Sequence, residues 1–445
     1  MYDIVLYSVF FHFLFYYFPI FKKRFKNMNK KIRSIITIIA FIVSSVPKMA
    51  QAEEPLTLEK ALSLAYENNP SIEEARKAVD AAKGDLITAR TFSNPEAEFE
   101  IGGLKKNEAG ERKTNLDNLE VRQEFDPPGV RGAKSKIARN QVLLQQELVK
   151  SVWSQVYAEA REIYSRIILN KKELELADEN LNILRQFFSR VQQRFQSGQA
   201  LKNDVQRAKI ELLDAENSYL SAEKELKINK ARLNLLLGRA MDNLFEIEEE
   251  LKDEELRLDL QELTREAFSK SPAIKSEDLA LNLKAANLTK EELSRLPSPF
   301  VGFQRTTEEY ENDSSLVVGF SIPLWNLNQG EVKKAQAEKD AQTAKTQAAK
   351  RELAFSVFEA YLNAELTHRQ LELLKKSLEE ANELLSLANL RYSEGEIDFI
   401  NFLDQVKTAA QTRIKYYQGL FSLNKAINEL EKTVYVSVRK EEYLR

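Results

Sequence analysis

Side chains able to do covalent or metal chemistry are scarce in this 445-residue sequence, which has no Cys and two His. That excludes disulfides, thiolate metal sites and a Cys nucleophile, leaves no Cys for lipidation, and provides little imidazole for acid–base work. No Gly-rich phosphate loop, HExxH or GxSxG occurs, so the chain carries no NTP-driven engine and no hydrolytic centre of those kinds. His368 has no second His or Cys to join it and reads as an exposed helix residue. No catalytic residue, cofactor or metal ligand is assigned. What the sequence offers instead is carboxylates in a regular pattern. Glu98 and Glu100 alternate with Ala97, Phe99 and Ile101, and Glu120 and Glu124 alternate with Leu119, Val121 and Phe125. Period two means strand, here with one ionised and one apolar face.

A second pair of strands follows in FVGFQR (residues 300–305) and SLVVGFSI (residues 315–322), the latter with Leu316, Val318, Phe320 and Ile322 on one side. Polar turns at residues 105–114 and 306–314 make two hairpins. Facing Glu98 or Glu124 to mid-bilayer lipid costs about 2 kcal/mol or more, so in a membrane wall Glu98, Glu100, Glu120 and Glu124 must line the lumen. Four strands cannot enclose one, because the smallest outer-membrane barrels have about eight and an open edge in lipid leaves backbone groups unpaired. Three chains supply twelve strands, which predicts a homotrimer in contact with outer-membrane lipid. Phe125, Tyr310 and Trp325 at the strand ends suit interfacial girdles.

The elements that must position these strands are long helices. Only 13 Gly and 11 Pro punctuate the chain, while charged and apolar residues mix along its length. LEKALSLAYENNP (residues 58–70) is echoed by LQELTREAFSKSP (residues 260–272), and RFQSG (residues 194–198) returns as RYSEG (residues 391–395). Trp153, Ala160, Ile167, Leu174, Leu181, Phe188 and Phe195 fall seven apart, with Val156, Ile163, Ala177, Leu184 and Val191 three further on. Val357, Ala364, Leu371, Leu378, Leu385 and Tyr392 repeat the register in the second copy. The expected fold is mainly α with a small membrane β part: duplicated long helical hairpins and four strands per chain, forming a trimeric twelve-stranded barrel continued by an α-helical barrel.

Residues 28–52 carry a basic start (Lys30, Lys31, Arg33), a short apolar run and small residues at Ala50 and Ala52. They read as an export signal cut after Ala52, with translation starting at Met28. The first repeat is expected over residues 53–257, with a β-hairpin at about 94–126, a helical hairpin at about 131–238 and an acidic connector. The second is expected over residues 258–445, with a β-hairpin at about 299–323, a helical hairpin at about 330–433 and a C-terminal tail. The charge balance of 65 basic against 68 acidic residues gives a net of −3 and no reason for a nucleic-acid partner.

These features together resemble the TolC family of outer-membrane efflux ducts. The likeness rests on the duplicated layout and on the paired RFQSG and RYSEG turns, followed by DVQRAKIEL (residues 204–212) and LDQVKTAAQ (residues 403–411). It also rests on QEFDPPGVRGAK (residues 123–134) and GFSIPLWNLNQGEVKKAQA (residues 319–337), where strand passes into helix. The PLWNLNQGE segment is similar to the heavy-metal-resistance branch. The resemblance implies a passive outer-membrane duct with a long periplasmic extension. It would be served by a periplasmic adaptor (membrane fusion) protein and an inner-membrane pump of the resistance-nodulation-division type. It further implies a pore constriction at Asp204, Asn401 and Asp404, and tip turns that dock the adaptor at Arg194, Gly198, Arg391 and Gly395. The competing reading is an exported coiled-coil tether without a channel.

Overall fold

A computed structural model describes residues 55–101, 104–106, 112–114, 116–253, 259–308 and 311–439. The export signal with Met28 and Ala52, Tyr310, the end of the acidic connector and the last residues of the tail lie outside the described residues. All that follows concerns the compact unit beginning at Leu56.

Two short helices open each half. α1 (Leu58–Asn68) meets α2 (Pro70–Arg90) at Asn69, which ends one helix and caps the next, its side chain accepting from the Ser71 N–H at 2.9 Å. α5 (Leu260–Lys270) meets α6 (Pro272–Leu293) at Ser271 in the same way. In both places Pro holds the residue before it in extended conformation and itself starts the next helix, which is why the NP and SP steps break the chain there.

β1 (Glu96–Ile101), β4 (Leu116–Glu124), β5 (Ser298–Glu308) and β6 (Glu311–Ser321) form one antiparallel sheet in the order β1-β4-β5-β6, while β2 (Leu104–Lys106) and β3 (Arg112–Thr114) pair separately. β5 and β6 have 11 residues each, and the β2–β3 pair keeps the register of β1 on β4, Ile101 opposite Asp117 and Leu104 opposite Thr114.

Two long helices carry the rest, α3 (Val130–Gln196) and α7 (Gln329–Glu394), and each is followed by a returning helix, α4 (Lys202–Leu236) and α8 (Phe399–Val434). At 1.5 Å per residue the 67 residues of α3 run about 100 Å. Near the sheet α3 and α7 pack with α2 and α6; farther away α3 packs on α4, α7 on α8, and the two pairs meet along α3 and α8. Ala160, Ala360, Ala364, Ala381 and Ala388 are buried on these seams and bring the helices close. The sevenfold register departs from expectation near the far end of α3. Phe187 is buried rather than Phe188, which is only partly covered, and Phe195 is 43% exposed. A straight helix drifts about 20° per heptad, and here the buried positions step Leu181, Leu184, Phe187, Val191.

The acidic connector after α4 is packed against the helices at its first residues. Phe245 and Ile247 are buried against α3 and α4, the Leu56 N–H donates to the Glu246 carbonyl at 2.9 Å, and Lys171 and Lys230 donate to the carbonyls of Ile247 and Phe245.

The α3–α8 seam joins the two halves. Arg161 on α3 binds Glu431 on α8 at 2.9 Å, both side chains only 7% exposed. Arg439 approaches the same carboxylate at 3.6 Å, and the Ser437 hydroxyl and Val438 N–H donate to its other oxygen. Farther along, Lys425 pairs with Glu162 and Arg413 reaches Glu179, rungs that are much more exposed. Burial works against the Glu162 carboxylate, but Lys425 and Arg166 outweigh it and hold its pKa below the usual range.

Candidate functional site

At the far end of the hairpins the two turns share one hydrogen-bond design. Gly198 and Gly395 have φ of +74° and +78°. The Gln199 N–H donates to the Arg194 carbonyl at 2.7 Å, and the Glu396 N–H donates to the Arg391 carbonyl at 2.9 Å. This is the six-to-one closure that glycine permits after a helix. Arg194 and Arg391 thus serve the turns through their backbone oxygens; the Arg194 guanidinium is exposed, and that of Arg391 stands 3.9 Å from Glu396. A Cβ at Gly395 meets nothing within 4 Å, so Gly395→Ala is expected to cost about 1–2 kcal/mol through the left-handed backbone alone, read as a lower denaturation midpoint.

Asp204 lies in the first turn of α4, half-buried, with its carboxylate accepting from the Leu201 N–H at 3.0 Å. On α8, Asp398 caps the helix by accepting from the Asn401 N–H at 2.9 Å, while Asn401 and Asp404 are exposed. Asp404 shares a groove with Arg207, Leu403 and the Lys407–Glu211 ion pair, which crosses from α8 to α4. One end of the molecule therefore carries all three constriction candidates. Asp398 was missed in the sequence, although an Asp just before an apolar run is an N-cap signal. Also missed was a ring cluster above the tip: Tyr392 stacks on Phe402 with centroids 4.5 Å apart, and Phe187 of the first half lies 6.5 Å from Tyr392.

At the other end the register sorts the sheet into two faces. Glu98 stands opposite Glu120 and Glu96 opposite Arg122; Glu120 and Glu124 face Gln304 and Phe300. Glu98, Glu100, Glu120 and Glu124 are thus on one side, together with Ser315 and Val317 of β6. The other side carries Phe99, Val301, Phe303, Leu316, Val318 and Phe320, all between 40% and 73% exposed. Among the described residues, both edges of the sheet, β1 and β6, lack a neighbour within the chain.

His368 is partly exposed, with Nε2 4.0 Å from Glu372. Among the described residues no cluster of His, Cys, Asp and Glu is arranged to hold a metal ion, and no helix is long and apolar enough to cross a membrane.

Comparison with known proteins agrees with this geometry. The chain is 23% identical over 385 residues to the cobalt-zinc-cadmium resistance protein CzcC of Cupriavidus metallidurans, covering 86% of this chain and 90% of that protein. Its fold is similar to that of the CmeC outer membrane channel of Campylobacter jejuni, with a TM-score of 0.73 at 14% identity over 89% of this chain and 91% of that one. It is also similar to CusC, with a TM-score of 0.72 at 17% identity over 88% and 95%. Residues 61–239 and 270–434 match the family described as outer membrane efflux protein. A sheet with one ionised and one bare apolar face, joined to paired helical hairpins, is thus explained: the chain belongs to the outer membrane efflux protein family, which works in the outer membrane as a transport channel and not as an enzyme.

Proposed function

We propose that three copies of this chain form a passive duct through which solute, delivered by an inner-membrane pump of the resistance-nodulation-division type through a periplasmic adaptor protein, leaves the cell. The observation that carries the trimer is the incomplete sheet. Four strands with two open edges and an exposed apolar face cannot stand in lipid, whereas three copies close a twelve-stranded barrel with the glutamates inside. The helices support the same symmetry. α4 and α7 are the outer members of the far helical layer, and they expose Ile210, Leu213, Leu220, Phe355, Leu366 and Leu373 where neighbouring copies would meet. In this reading residues 53–257 and 258–445 are two copies of one unit, preceded over residues 1–52 by an upstream extension and an export signal that starts at Met28 and ends at Ala52. A tether has no use for the two-faced sheet.

Heavy-metal cations are the proposed cargo, supported by the similarity to a cobalt-zinc-cadmium resistance protein and by carboxylates at both ends of the path. The constriction is assigned to Asp204, Asn401 and Asp404, and adaptor docking to the turns at Arg194, Gly198, Arg391 and Gly395. Outer-membrane fractionation, a heat-labile trimer on gels and single-channel conductance test the duct; a soluble monomer sinks it. Threefold Asp204 and Asp404 bring about six carboxylates around one axis, which favours cations. Asp204→Asn with Asp404→Asn is expected to weaken divalent-cation block about tenfold, and unchanged block rejects the carboxylate ring while leaving the duct standing.

A further inference from the structure

Where the sheet passes into α3 there is a cavity lined by Glu124 and Phe125, neighbours on opposite faces of the sheet. The β4–β5 ladder runs one step beyond β4, because the Phe125 N–H donates to the Pro299 carbonyl at 2.9 Å. Alternation therefore puts Phe125 and Pro299 on the side of Val121, Val301 and Phe320. The Phe125 ring meets Phe92 edge-on with centroids 5.7 Å apart, and Phe92 is 58% exposed. A cavity of about 430 Å³ opens beside this pair, lined also by Ser93, Arg131 and Lys134.

The charges around it are unevenly satisfied. Glu124 pairs with Arg122 at 3.0 Å and Asp126 with Lys134 at 2.6 Å, so both acids at the cavity have cationic partners. Arg131 is half-buried, its guanidinium carbon 3.8 Å from the centre of the Phe92 ring, with no carboxylate or carbonyl partner among the described residues. A guanidinium stacked on an aromatic face keeps its donor edge for a planar or tetrahedral anion. Beyond Phe320 the chain continues through Ile322, Leu324 and Trp325, 57%, 70% and 93% exposed. Exposed aromatic and apolar groups at the same end of the sheet as a fixed cation suit the headgroup level of a bilayer.

We infer that this cavity seats the phosphate of a phospholipid headgroup in the periplasm-facing leaflet, with the Arg131 fork on the phosphate and Phe92 and Phe125 against the glycerol and upper acyl chain. The inference rests on the membrane reading of the sheet. A lipid fits better than a free anion because Phe92 and Phe125, the latter on the apolar side of the sheet, line the cavity beside Arg131 and offer acyl chains a contact that a bare phosphate does not use. The test uses full-length, delipidated protein titrated with dihexanoyl phosphatidylglycerol, with inorganic phosphate as comparator and liposome flotation in parallel. Saturable lipid binding is expected, about tenfold weaker in Arg131→Gln and intermediate in Arg131→Lys, which lacks the fork, with helical circular dichroism unchanged. Phe92→Ala is expected to weaken lipid binding as well. Equal binding by wild type and Arg131→Gln, or inorganic phosphate binding as tightly as lipid, overturns the site. A wild type that does not float overturns the membrane reading and the site together, whereas Arg131→Gln that floats normally but loses lipid binding supports the site on its own.

Discussion

Glu431→Ala is expected to destabilise the folded chain by about 3–5 kcal/mol, the usual cost of leaving a buried charge without its partner. The carboxylate it removes receives Arg161 at 2.9 Å, Arg439 at 3.6 Å, the Ser437 hydroxyl and the Val438 N–H. Two guanidiniums then remain in a site where side chains are 7% exposed, and the chain end that follows α8 loses its clamp. The effect is large because the pair joins residues 270 positions apart, from α3 of one half to α8 of the other. The outer rungs cannot substitute for it, since exposed pairs such as Lys425–Glu162 contribute about 0–1 kcal/mol. Chemical denaturation of detergent-solubilised protein measures the loss. Arg161→Met, Arg439→Met and Glu431→Leu together are expected to recover most of it, because well-packed apolar replacements of a buried ion network are close to neutral. A Glu431→Ala protein within about 1 kcal/mol of wild type means that water reaches the cluster and that the halves are held by apolar contacts alone.

That cluster also marks where sequence reasoning ran out. The buried stripes of α3 and of α7 were legible because Ile167, Leu181, Val357 and Leu371 recur at multiples of seven and all are buried. The tips were legible because a glycine after a long amphipathic run has one common use, and Gly198 and Gly395 both have positive φ. Nothing local announces that Arg161 and Glu431 meet, since each sits in a helix full of charged residues and only tertiary packing decides which ones leave water. The packing of the acidic connector after α4 was hidden for a different reason. Its glutamates dominate the composition, yet Phe245 and Ile247 alternate with them at period two and turn inward. At the tip, the residues singled out by resemblance are accompanied by a cap at Asp398 and a Tyr392–Phe402 stack, which the seven-residue pattern alone does not distinguish from ordinary seam positions.

The neighbours Leu316 and Val317 set the sharpest contrast available for the sheet. Leu316 is the sixth of the 11 residues of β6, opposite Phe303 and 73% exposed, on the face with Val318 and Phe320. Val317 points to the other face, opposite Gly302, among Ser315 and the glutamates of β1 and β4. If the apolar side meets lipid, Leu316→Arg places a cation near the bilayer midplane at a cost of about 2–4 kcal/mol per chain, tripled in a trimer. The expected result is a large loss of assembled trimer from the outer-membrane fraction. Val317→Arg, with identical chemistry one residue away, enters the water-filled side above a glycine that leaves room for it. It is expected to assemble near wild-type levels and to lower cation selectivity, since its charge opposes that of Glu98 and Glu120. Helix content, β-propensity and strand length are the same in both variants to first order, so only the direction of the side chain separates them. Equal assembly of the two proteins rejects the lipid-facing assignment, and a reversed outcome puts the glutamates outside the barrel.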